Sequence, residues 1–149
     1  MKVLAIAVFS FLASTSTIQN ASAQTITLVQ DGKSRYSIVL APGAADSLMH
    51  GAEEIQRYLK EITGAELPII APKAGKVGLP RFVVRIDTDP KLGEEELRVR
   101  TVGSSLRISG GGKRGALYGC YAFLGDILGC QWYNQRVSAI PKSSWRKPF

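Results

Sequence analysis

Apolar residues recur at spacings of three and four in two long stretches and alternate with polar ones in several short runs, a pattern that predicts two amphipathic helices set among strands. The first helix is expected over about Ala45–Ile62. There Leu48, Ala52, Ile55, Leu59 and Ile62 make an unbroken stripe, while Glu53, Arg57 and Glu61 lie four apart on the opposite face. Gly64 stands where a left-handed cap would end it. The second helix is expected over about Lys113–Leu128, with Leu117, Cys120, Leu124 and Ile127 as the stripe, Tyr121 and Leu128 beside it and Gly129 as the cap. Gly110, Gly111 and Gly112 let the backbone turn out of the strand before this helix, and Trp132 and Tyr133 form an aromatic exit after it.

Six runs read as strands. Thr25–Val29 alternates and is closed by Asp31-Gly32, and Tyr36–Leu40 follows, so the two are expected to form a hairpin. Leu67–Ile70 is entered through Pro68 and belongs near a sheet edge. Pro72–Pro80 reads as a surface loop, and Phe82–Ile86 alternates again. Leu97–Val102 and Leu106–Ser109 make a hairpin across Gly103-Ser104-Ser105, with Leu97, Val99, Leu106 and Ile108 inward and Arg98 and Arg100 outward. No long apolar run marks a buried parallel sheet. The expected class is α+β: a mixed β-sheet with two amphipathic helices packed on one face.

The N-terminus has the pattern of an export signal. Lys2 is a positive start, Val3–Ala13 is an apolar run too short to span a bilayer, and Ala21-Ser22-Ala23 fits a signal-peptidase site. The expected organisation is a signal peptide at 1–23, one domain at 24–133 and an irregular basic tail at 134–149. Export to the periplasm or the extracellular space follows, with no membrane span after cleavage. Taking residues 1–23 from the 149 leaves 126, enough for one domain with a real core. The formal charge of +7 falls to +6 with the loss of Lys2, and Arg136, Lys142, Arg146 and Lys147 place much of it in the tail. Charge alone speaks to non-specific attraction, and with no reader motif it does not make a nucleic-acid binder. Cys120 and Cys130 are separated by about 15 Å of mostly helical chain, beyond the roughly 7 Å that a disulfide spans. Both are expected reduced and buried.

Candidate chemistry is sparse. Gly112-Lys113 suggests a phosphate loop, but Arg107 and Arg114 stand where that motif needs glycine and Ser or Thr, so a structural turn is the reading. His50 is the sole histidine, too few for the usual hydrolytic zinc site, and is expected on the surface. Asp87, Asp89, Glu94–Glu96 and Asp126 could supply paired carboxylates for glycoside hydrolysis, but their turn and helix-face positions predict solvated charges. No catalytic residue, cofactor or metal is therefore assigned. Trp132, Tyr133 and Trp145 remain as candidates for a domain interface or, alternatively, a glycan contact.

Two blocks carry a resemblance. Ala52–Ile69, AEEIQRYLKEITGAELPI, resembles the A-E-E-L-x-x-Y-L-x-x-I-T-G-A-x-L-P-I run of an N-terminal accessory domain. That domain is shared by bacterial α-glucuronidases, β-hexosaminidases and related glycoside hydrolases. Leu106–Gly111, Arg114–Gly119, Phe123-Leu124 and Leu128–Tyr133 agree with its second block. The match spans about Thr25–Tyr133, and the Gly-Cys-x-Trp-Tyr exit is closer to the α-glucuronidase-like branch. The resemblance implies a mixed sheet with two helices on one side, packed against a (β/α)8 barrel that carries the catalytic carboxylates. Those lie beyond the matched region, so none maps onto this chain. A barrel takes about 250 residues and sixteen follow Tyr133. The resemblance thus implies a non-catalytic accessory domain whose partner is a catalytic barrel or a polysaccharide. A stand-alone glycan-binding module using the exit aromatics is the alternative.

Overall fold

The computed structural model describes residues 26–72, 78–112, 114–134 and 137–141, with backbone alone for 133, 134, 137 and 138. The expected signal peptide and most of the tail, including Trp145, lie outside the described residues. Five strands form a mixed sheet: β1 (Ser37–Leu40), β2 (Ile69–Ile70), β3 (Val83–Thr88), β4 (Leu97–Val102) and β5 (Ser105–Gly110), in the order β2-β1-β3-β5-β4. β1 runs parallel to β2 and β3, β3 runs parallel to β5, and only the β4–β5 hairpin is antiparallel. Helix α1 (Asp46–Thr63) links β1 to β2. Helix α2 (Gly115–Ala122) follows β5 and passes directly into a π-helical turn at Phe123–Ile127.

Both helices cover one face, which is the α+β class expected. Ile38 and Leu40 of β1, Val84 and Ile86 of β3, and Leu106 and Ile108 of β5 meet Leu48, Ala52, Ile55, Leu59 and Ile62 of α1 in a single core. The stripe thus lands where its spacing put it, one residue displaced at each helix end. Gly64 caps α1 at φ 77°, its N–H donating to the Lys60 carbonyl at 2.8 Å. Gly51 faces α2 so closely that a Cβ there would lie 2.8 Å from Cys120 Sγ, so this glycine sets how near the helices approach.

Three expectations are corrected. Thr25–Val29 does not pair as a strand over its described residues. Asp31 (φ 51°) and Gly32 (φ 71°) make the tight turn, and Gln30 and Lys33 exchange both backbone hydrogen bonds at 2.9 Å. Pairing then stops, because the Ser34 hydroxyl donates to the Leu28 carbonyl and accepts the Tyr36 N–H. β1 is thereby free to take parallel neighbours, while Ile26 and Leu28 are buried in the core. Secondly, the buried face of the second helix is Ala116, Gly119, Cys120, Phe123, Leu124 and Leu128, with Leu117 and Ile127 only half-buried. The π turn, with the Leu128 N–H donating to the Phe123 carbonyl five residues back, adds a residue and shifts the phase. Thirdly, the tail is not wholly irregular: Val137–Ala139 forms β7, antiparallel to β6 (Gln131–Asn134).

Both cysteines are unpaired and buried, as expected. Burial pushes the Cys120 thiol from its ordinary 9.0 up to about 12 and raises that of Cys130 as well. The native state therefore holds Cys120 protonated where the unfolded chain ionises it. Its contribution to stability is whole below pH 9 and is lost as pH rises from there towards 12, at up to about 1.4 kcal/mol per pH unit. Urea midpoints measured at pH 8 and pH 10 should fall further in the wild type than in Cys120→Ala. An equal fall in both would contradict this account.

Candidate functional site

The aromatic exit does not stand alone. α1 runs Glu54, Arg57 and Tyr58 along one flank of its buried stripe, α2 presents Tyr121 from the neighbouring helix, and β6 returns the chain so that Trp132 sits between them. Trp132 Nε1–H donates to the Tyr58 hydroxyl at 2.7 Å. Its ring meets Tyr58 and Tyr121 edge to face, with centroids 5.6 and 5.8 Å apart and interplanar angles of 80° and 87°. The Arg57 guanidinium lies 4.4 Å from the centroid of Tyr58 and is fixed there by Glu54 at 2.8 Å. Trp132 nevertheless stays 41 % exposed. The ring is thus held in one orientation at the surface, with little side-chain freedom left for any contact there to remove.

His50 is exposed, as expected, with its Nε2 3.4 Å from the Tyr121 hydroxyl. That contact does not make an activated nucleophile: burial, then the nearby Glu54 carboxylate, raises the Tyr121 hydroxyl above its ordinary value, so it stays neutral. The carboxylates weighed for hydrolysis have structural or solvent roles. Asp87 is held by Arg107 at 2.9 Å, Asp89 accepts the Lys91 N–H, and Glu96 accepts the Gly93 N–H and reaches Arg98 at 3.5 Å. Glu94, Glu95 and Asp126 are exposed.

Of the three residues singled out in the sequence, the structure places Trp132 at this corner. Tyr133 follows it in β6, its side chain outside the described residues, as is all of Trp145. Sequence reasoning missed Tyr58 and Tyr121 as partners of Trp132, and Arg57 as the cation over Tyr58. The available signal was position: Tyr58 and Tyr121 each flank a stripe residue (Leu59, Cys120), and the structure buries the first and half-buries the second. Trp132→Phe removes the bond to Tyr58 while keeping an aromatic body, and is expected to lower stability by about 1 kcal/mol. Urea unfolding of that variant checks this; an unchanged midpoint would show the bond contributes nothing.

No family model matches the chain, and no curated protein matches it. Among solved structures, a GH138 enzyme targeting pectin rhamnogalacturonan II is similar, with a TM-score of 0.50 and 16 % identity over 69 % of this chain. The chain spans 11 % of that enzyme's length. At this identity the likeness is one of fold: the helix-backed mixed sheet described above also occurs as a small part of a glycoside hydrolase.

Proposed function

We propose that this chain is an accessory domain of an exported glycoside hydrolase of the α-glucuronidase-like branch, that it takes no part in bond cleavage, and that it meets a catalytic barrel through the Trp132 corner. The single observation that carries the reading is the fold likeness: a similar architecture forms a small part of an enzyme targeting pectin rhamnogalacturonan II. The two sequence blocks agree with it. The corner adds a physical reason, since Trp132 is anchored by Tyr58 and Tyr121 but open on its outer side. An exposed, preordered aromatic of this kind is characteristic of the centre of an interface.

The same exposure favours a second reading, a glycan-binding module in which Trp132 stacks on a sugar ring. Titration with xylan and chitin oligosaccharides, followed by tryptophan fluorescence in a Trp145→Phe background, separates the two. The accessory reading predicts no change at millimolar sugar. A saturable change, matched by calorimetric binding that Trp132→Phe abolishes, would replace it with the binding module.

A further inference from the structure

The sheet has a second face, away from the helices, whose β3–β5–β4 part is basic, while Val39 and Val83 beside it are apolar and buried. Register sets Arg85 of β3, Arg107 of β5 and Arg100 of β4 directly abreast, and Arg98 two residues along β4 joins them on that side. Neighbouring strands are about 4.8 Å apart, so three guanidinium stems rise from a band about 10 Å wide. Arg107 is bound to Asp87 and Arg98 is near Glu96, whereas Arg85 and Arg100 are exposed and make no ion pair among the described residues. Like charges directly opposed across strands are destabilising. Arginines on β4 have an ordinary explanation, since charge on an edge strand deters pairing with other chains. Arg85 has none, because β3 lies inside the sheet between β1 and β5.

We propose that this face docks an acidic polysaccharide, with carboxylates spaced along the glycan taking the guanidinium forks of Arg85 and Arg100. Arginine's planar fork matches a carboxylate with two parallel hydrogen bonds. The basic band carries no aromatic residue: its members are Arg85, Arg98, Arg100, Arg107, Asp87 and Ser109. A protein partner would need the aromatic and apolar centre that protein interfaces use, and a single-stranded nucleic acid would need rings for its bases to stack on. A carboxylated ribbon needs neither. The proposal rests on the carbohydrate reading above but uses a surface remote from Trp132, holding the substrate rather than cutting it.

The test is electrophoresis of the purified chain through native gels containing polygalacturonate, dextran, polyglutamate or no polymer. Retardation is expected in polygalacturonate alone, and it should vanish at 1 M salt, where the Debye length is about 3 Å. Arg85→Gln/Arg100→Gln should weaken it by about tenfold or more, or roughly 1.4 kcal/mol. The charge-matched control Lys33→Gln/Lys60→Gln, off this face, should not, with circular dichroism confirming that both variants fold. No retardation, equal retardation by dextran, or an equal loss in both variants would overturn the proposal. Equal retardation by polyglutamate would make the occupant an acidic protein instead. None of these results touches the accessory reading, which is tested by sugar titration at Trp132 and by glycosidase assay.

Discussion

Gly110→Ala is expected to destabilise the chain by about 4 kcal/mol or more, the range reserved for a few severe mechanisms. Gly110 ends β5, and α2 starts five residues later by folding back against it. A Cβ at Gly110 would overlap the backbone of Gly115 and Ala116, which cannot rotate out of the way as a side chain can. Either α2 lifts off the sheet, opening the core around Ala116, Cys120 and Phe123, or the end of β5 leaves its pairing with Thr88 and Leu97. Both routes sacrifice a large share of the 5–15 kcal/mol that holds a typical domain together. Gly78→Ala is the control. Nothing lies within 4 Å of the added atom and the backbone there is unstrained, so a change within about 0.5 kcal/mol is expected. Urea unfolding of both variants decides the matter. A Gly110→Ala midpoint close to the wild type would mean that the packing of α2 on β5 is described wrongly.

Phe123→Ala is the second large effect, at about 3–5 kcal/mol. Phe123 is the largest of the fully buried side chains and stands at the first residue of the π turn. Its carbonyl accepts the Leu128 N–H, so the same residue fills the core and opens the turn that rephases the chain. Truncation leaves a cavity among Leu124, Cys120 and the sheet that backbone relaxation fills only in part. Phe123→Leu keeps most of the volume and should lose about 1.5 kcal/mol or less. Thermal unfolding of the pair tests this. Equal losses would indicate that the turn's backbone bonds matter more than the buried ring.

What could be read from the residues was local and periodic. The α1 stripe from Leu48 to Ile62, the caps at Gly64 and Gly129 (φ 77° at both), and the β4–β5 hairpin were legible because each depends on neighbours within a few positions. The phase of the second helix was not, because a π turn at Phe123–Ile127 changes the period without any proline or unusual residue to announce it. The N-terminal hairpin failed for a similar reason. Its turn at Asp31-Gly32 forms, but one serine hydroxyl, Ser34, diverts the next backbone groups. At the corner, Trp132 was visible as an aromatic exit, while its bond to Tyr58 joins residues 74 apart and has no local trace. The row Arg85, Arg107 and Arg100 is likewise created by strand order, since β3 and β5 are neighbours that the chain reaches only after making β4.

The central claim, that this domain assists a glycosidase without being one, meets its most direct test in a rate measurement. The purified chain is mixed with aryl glycosides of glucuronic acid, N-acetylglucosamine, rhamnose and xylose, and release of the aryl alcohol is followed. The account predicts no release above the rate without protein for any of the four. Release that scales with protein concentration and disappears on changing Asp87, Glu96 or Asp126 to the amide would contradict it.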